Sequence, residues 1–250
     1  MKTDPILNIF NSILKAYPHL IDDFVLMVEN YRNSKECAER FTDIYINQKW
    51  GGKGTVSGNG STMSYTEAIR AALPEVFIKF DIHSVFDGPC GDFNWMSHVV
   101  NNNHMITKYI GGDIVEDMIN QLNEKYASDR VEFLKCDIIQ DGFPDVDLMI
   151  CRDCLFHLPN SEIIKFFKNF IKSDIKYLLT TTHYPTLKNV KFNENIPFGN
   201  YRLIDLFAPP FSLPEKVLFR FDDSHTSEER SRREMVLWSR EQLKLRIGYE

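Results

Sequence analysis

Apolar and polar positions along this chain follow two successive periods. Residues 5–30, PILNIFNSILKAYPHLIDDFVLMVEN, and then ECAERFTDIYINQKW repeat apolar residues at helical spacing, with Pro18 dividing the first run into two helices. TEAIRAALPEVFIKF keeps that period, with Thr66 as its expected N-cap and Glu67 in its first turn. From Ser84 the texture changes. Short apolar runs (SVFD, KYIGGD, VEFLKCD, DVDLMICRD, YLLTTTH) are interspersed with the helical stretches WMSHVV, IVEDMINQLNEKY and SEIIKFFKNFIK. Strands and helices alternating in this way predict βαβ units and a parallel sheet. Two late runs, KVLFRF and MVLW, have only the polar DDSHTSEERSRRE between them and predict an antiparallel hairpin at the sheet's edge. The expected organisation is α/β: residues 1–80 as a helical cap with a glycine-rich lid segment, and 81–250 as the core of the same structural unit.

Composition narrows the class without choosing a chemistry. At 250 residues, 43% hydrophobic and 26% charged, the chain can bury a substantial core, and its 19 phenylalanines favour a bulky core or an aromatic-lined pocket. A net charge of −6 and a pI of about 5.7 disfavour a nucleic-acid partner. Asp4 and Pro5 stand where an export signal would begin its apolar run, and no apolar stretch approaches the ~20 residues of a membrane helix. The five scattered cysteines (Cys37, Cys90, Cys136, Cys151, Cys154) therefore read as free thiols of a cytoplasmic protein. The protein partner this reading allows is a second copy of the chain, as a homodimer.

Chemistry enters with a series of acids at strand ends. Asp87 closes the first core strand and leads into the turn Gly88-Pro89-Cys90-Gly91-Asp92-Phe93; Asp113 and Asp137 close the second and third, and Asp153 follows the fourth. Ligands of open α/β sheets bind beyond the carboxyl ends of the strands, and an acid about 20 residues past the glycine turn suits a ribose. An acid after the third strand suits the adenine amine. A dinucleotide turn wants G-x-G-x-x-G, but here Pro89 and Phe93 replace small residues and Asp92 adds a negative charge, unfavourable beside a pyrophosphate. The same charge favours a cationic, phosphate-free adenosine cofactor, and S-adenosylmethionine has that chemistry.

VFDGPCGDFNWM, YIGGDI, FLKCDI and DLMICRDCLFHL resemble successive motifs of the class I S-adenosylmethionine-dependent methyltransferases, over roughly residues 80–240. The resemblance implies a Rossmann-like fold with a seven-stranded, mostly parallel sheet ending in an antiparallel hairpin. It implies that Asp87, Gly88, Cys90 and Gly91 form the methionine-side turn, that Asp113, with Ile114 beside it, holds the ribose, and that Asp137 and Ile138 flank the adenine. Asp92 near the cofactor's amino group follows from charge, and Arg152 is assigned to the cofactor side. More narrowly, WGGKGTVSGNGS, DGPCGD and TTHY resemble a bacterial subgroup linked to capsule and surface-polysaccharide biosynthesis. That implies O-methylation of a small or saccharide-linked acceptor, a sugar hydroxyl or a phosphoramidate, with a small molecule or a nucleotide-linked saccharide or phosphoramidate as the partner. N-methylation on the same fold, an NAD(P)-dependent oxidoreductase and a catalytically silent nucleotide-binding module are the alternatives.

Methyl transfer to a hydroxyl needs close alignment and often a base. Asp153 and His157 in CRDCLFHL and His183 in TTTHYP are the catalytic candidates. A helical turn at CRDCLFHL would bring Asp153 and His157 to one side. Tyr184, Arg202, Lys53 and Ser57 are candidates for the acceptor, and Arg70 reads as a structural ion-pair arginine. Cys151 and Cys154 have CxxC spacing but no second Cys/His pair, so no metal is expected. Ala208-Pro209-Pro210-Phe211 lacks the polar first residue of the amino-methyltransferase motif, and Pro185 interrupts Tyr184-x-x-x-Lys188. EERSRRE, residues 228–234, reads as a solvated connection. WGGKGTVSGNGST holds five of the chain's 12 glycines, yet Lys53 is followed by Gly54, not by the Ser/Thr of a P-loop, and the stretch precedes the first core strand. It reads as a lid.

Overall fold

The computed structural model of the protein describes residues 35–51, 54–185, 190–225 and 231–247. The two helices expected within 5–30 lie outside these. A helix over 35–46 (α1) leads through turns into the glycine-rich stretch, where Asn59–Ser61 form one 3-10 turn. There follow α2 (Glu67–Phe80), β1 (Ser84–Asp87), α3 (Asn94–Asn102), β2 (Lys108–Asp113), α4 (Glu116–Tyr126), β3 (Val131–Lys135) and β4 (Leu148–Cys151). A second 3-10 turn, Leu155–His157, precedes α5 (Asn160–Lys172), β5 (Tyr177–Pro185), β6 (Phe219–Asp222), β7 (Ser231–Ser239) and α6 (Arg240–Ile247).

The strands form one sheet in the order β3-β2-β1-β4-β5-β7-β6. The first five run parallel, and β7 is antiparallel to both β5 and β6. This is the expected Rossmann-like, seven-stranded sheet with its terminal hairpin. The chain winds outward from β1 to β3, then restarts at β4 on the other side of β1, so the switch point opens at the carboxyl ends of β1 and β4.

Because successive strand residues face opposite ways, the apolar runs feed two cores. Phe86, Met149, Leu178, Val236 and Trp238 join α5 on one side, while Val85, Ile150, Leu179 and Leu237 join α2, α3 and α4 on the other. On α5, Ile163, Phe166, Phe167 and Phe170 recur at helical spacing and are all buried. Fully burying each such side chain is worth about 1.5–3 kcal/mol relative to exposure, which accounts for part of the phenylalanine excess.

Three expectations meet a different arrangement. α2, expected with the cap, inserts Ile69, Leu73, Val76 and Phe77 into the second core. Thr66 does precede α2, but its hydroxyl donates to the Thr62 carbonyl at 2.9 Å and caps no helical N–H. The preceding turn is thereby joined directly onto the helix. Finally, the end of EERSRRE is no solvated connection: β7 begins at Ser231, and Arg233 and Glu234 are buried. The apolar period begins only at Met235, so nothing local marks the strand's first residues.

Candidate active site

The first three strands deliver their terminal acids to one cavity. It opens at the carboxyl edge of the sheet, and Asp87, Asp113, Asp137 and Asp153 all line it, with Pro89, Cys90, Gly91, Ile114 and Ile138. The turn after β1 is tied to both neighbouring strands, through Gly88 N–H to the Ile150 carbonyl (2.9 Å) and Cys90 N–H to the Gly112 carbonyl (2.8 Å). The Gly88–Pro89 bond is cis, and Gly88 itself stays out of the lining.

Asp113 Oδ2 accepts from Gly91 N–H at 3.2 Å, and Oδ1 from Val115 N–H at 3.1 Å. Asp87 Oδ2 accepts from the buried Tyr109 hydroxyl at 2.9 Å. Asp137 Oδ1 accepts from Ile139 N–H at 2.9 Å. Burial pushes Asp87 up to about 7 against the Tyr109 hydrogen bond, and Asp113 up to about 6 against its backbone donors. Asp87 and Asp113 form no ion pair among the described residues, so their charged forms gain from a cation placed beside them.

Asp92 does something other than expected. Its Oδ2 accepts from Thr55 Oγ1 (2.7 Å) and Val56 N–H (2.8 Å), and its own N–H donates to Ser57 Oγ (2.8 Å). The carboxylate thus fastens the glycine-rich segment, and Asp92 does not line the cavity. Ser57 lines it, but its hydroxyl is held by Asp92; Gly91, at φ +54°, leaves room for it, since a Cβ there would come within 2.5 Å of Ser57 Oγ.

Where β4 ends, two arginines and two aspartates interlock. Arg152 Nε donates to Asp223 Oδ2 (2.9 Å) and Nη1 to the Gly60 carbonyl (2.7 Å), with Asp153 Oδ2 at 3.3 Å. Arg233 Nη1 donates to Asp153 Oδ2 (2.7 Å), and its Nε and Nη2 to the Asp223 carbonyl. Thr181 Oγ1 bonds Asp153 Oδ1 at 3.2 Å. Burial opposes ionisation of Asp153, but Arg152 and Arg233 outweigh it and hold its carboxyl below the usual range. Asp153 is therefore a committed ion-pair partner and no proton acceptor, which corrects its catalytic reading. Arg152 Nη2 is buried with no hydrogen-bond partner, and Arg152 lines the cavity. Sequence reasoning missed Asp223 and Arg233, which reach this point from the hairpin.

The two histidines separate. His157, on the 3-10 turn, lines the cavity and stacks on Trp50 with ring centroids 4.4 Å apart. Its Nδ1 lies 2.8 Å from the Asn200 carbonyl, an acceptor, so the ring proton sits on Nδ1 and Nε2 keeps its lone pair. Burial lowers its pKa to about 4, so the ring is neutral at pH 7. His183 accepts from Ile204 N–H through Nδ1 at 3.3 Å, is buried, and lies outside the lining, which removes it as a base.

Tyr184 is also outside the lining. Arg202 is buried, away from the cavity, and donates to the Leu155 carbonyl (3.3 Å) and Asn160 Oδ1 (2.8 Å), so it braces the turn carrying His157 and does not meet an acceptor. Arg70 donates to the Met63 carbonyl at 2.7 Å. Lys53 lies outside the described residues.

Residues 85–173, from β1 through α5, match a family model described as a methyltransferase domain. No curated protein matches the chain. Solved structures share its fold at low identity. The Burkholderia thailandensis 1,6-didemethyltoxoflavin-N1-methyltransferase, with bound 1,6-didemethyltoxoflavin and S-adenosylhomocysteine, is similar at TM-score 0.58 and 12% identity, over 84% of this chain and 89% of that one. N-methyltransferase NodS from Bradyrhizobium japonicum WM9 is similar at TM-score 0.52 and 11% identity, over 72% and 98%. Magnesium protoporphyrin IX methyltransferase from Synechocystis PCC 6803, with bound S-adenosylmethionine, is similar at TM-score 0.50 and 15% identity, over 80% and 96%. The family match thus spans the strands and helices from β1 through α5, and the solved structures show that the fold is shared.

Proposed function

We propose that the protein is an S-adenosylmethionine-dependent methyltransferase that methylates a hydroxyl of a small acceptor, with His157 taking the hydroxyl's proton. The observation that carries this is the His157 ring: neutral, oriented by the Asn200 carbonyl, and lining the same cavity as the strand-end acids. On this reading Asp113 and Ile114 hold the cofactor's ribose, Asp137 and Ile138 its adenine, and Asp87 with the Gly88–Gly91 turn its methionine end. The orphaned Arg152 Nη2 fits the cofactor's carboxylate, the one anionic group of that ligand. Ser57 and Ser61 of the glycine-rich segment line the cavity, which supports reading that segment as its lid.

When bound, the cofactor supplies a methyl group on a cationic sulfur, which forms a C–O bond as its C–S bond breaks and leaves a neutral thioether. As that bond forms, the hydroxyl becomes a strong acid, so even the weakly basic His157 Nε2 suffices to receive its proton. The toxoflavin-precursor and NodS enzymes are N-methyltransferases by name, so the fold alone does not choose the atom. The resemblance of the glycine-rich stretch to surface-polysaccharide enzymes supports a saccharide hydroxyl, or a phosphoramidate, as acceptor. His157→Gln should lower kcat by about 10²–10⁴-fold with S-adenosylhomocysteine affinity kept. An unchanged kcat would remove His157 as the base.

A further inference from the structure

The side of the cavity formed by α1 and the glycine-rich segment has a chemistry of its own. α1 turns Phe41, Ile44 and Tyr45 toward it at helical spacing, and Trp50 and Val56 continue the same wall. Trp50 lies flat on His157 and meets the edge of Phe41, with ring centroids 5.8 Å apart. Behind His157 the aromatic cluster continues to Phe156 and the exposed Tyr201. Against this wall stand four lining carboxylates, and Arg152 is the one cationic side chain among the described lining residues. Two of its nitrogens are already held, by Asp223 and the Gly60 carbonyl. An anionic acceptor would face the ionised Asp153 beside an arginine whose remaining nitrogen the methyltransferase reading assigns to the cofactor's carboxylate.

We infer that the acceptor site takes an uncharged ring bearing the hydroxyl, laid against the Trp50–Phe41 wall with its hydroxyl toward His157. This rests on the methyltransferase reading of the cavity and narrows it, because it leaves out phosphoramidates and nucleotide-linked sugars. The ring belongs to an aromatic alcohol or to an unphosphorylated sugar, both of which present an apolar face to indole.

The test uses the full chain saturated with S-adenosylhomocysteine, with calorimetry and saturation-transfer NMR following 2-naphthol, phenyl β-glucoside, naphthyl phosphate and UDP-glucose. Saturation by S-adenosylhomocysteine is checked first, and its failure would sink the cofactor reading itself. With that complex formed, at least one uncharged ring should bind about tenfold more tightly than either phosphorylated probe, and Trp50→Ala should weaken it about tenfold. S-adenosylhomocysteine affinity should stay unchanged in that variant, which separates a lost wall from a lost fold. Preference for 2-naphthol marks an aromatic acceptor, and preference for the glucoside marks a saccharide. Phosphorylated probes binding as well or better, no uncharged probe binding, or indifference to Trp50→Ala would each overturn the inference.

Discussion

The two ends of the cavity bury their acids in opposite ways. At the β1–β3 end, Asp87 and Asp113 have hydrogen bonds from a tyrosine and from backbone N–H groups but no ion pair among the described residues, and burial raises both. At the β4–β7 end, Asp153 and Asp223 are interlocked with Arg152 and Arg233. The first pair weakens the empty protein and waits for a cation; the second closes on itself and carries structure. An acid at a strand end is thus left to gain from a cation only where the fold gives it no counter-ion.

That contrast is most sharply broken at Asp223. Asp223→Asn leaves Arg152 and Arg233 buried without their shared carboxylate and should cost about 3–5 kcal/mol in urea denaturation. A loss below about 1 kcal/mol, the size of an exposed pair, would show that the network is not buried in solution. Asp113→Asn should instead weaken S-adenosylhomocysteine binding by about 1.5–3 kcal/mol in calorimetry, because a charge-assisted acceptor is lost. Unchanged affinity would remove its ribose assignment.

Asp87→Asn tests the sign. An acid raised from 3.8 to about 7 on folding binds more protons in the native state across that interval, so native stability falls as pH rises through it. The variant should gain stability over the wild type progressively from about pH 4 to 7 and hold that gain above, read as a growing difference in Tm without ligand. A difference independent of pH would mean that Asp87 does not titrate there. The smallest effect is expected at Asp92, where Asp92→Asn weakens the bonds to Thr55 and Val56. It should cost about 1 kcal/mol and speed amide exchange over 54–62.

The strand-end acids of β1, β2 and β3 were legible because each is local: an apolar run, a stop, and an acid. The charge of Asp92 suggests a cationic ligand, but its partners lie on the glycine-rich segment, with Thr55 37 positions away. Arg152 reaches Asp223 across 71 positions, and Arg233 reaches Asp153 across 80; no spacing rule spans such distances. His157 was named on the ground of a helical turn beside Asp153, but its standing comes from Asn200 and Trp50.

By itself the sequence determined the order of strands and helices, the parallel core with its terminal hairpin, and the placing of acids at the strand ends, because hydrophobic period and strand-end chemistry act over a few residues. Only the tertiary structure decided which acids are ion-paired, which histidine keeps a free lone pair in the cavity, and that the glycine-rich stretch is fastened by Asp92 and Arg152. Those depend on which distant side chains meet at the carboxyl edge of the sheet, where burial and counter-ions set each group's charge.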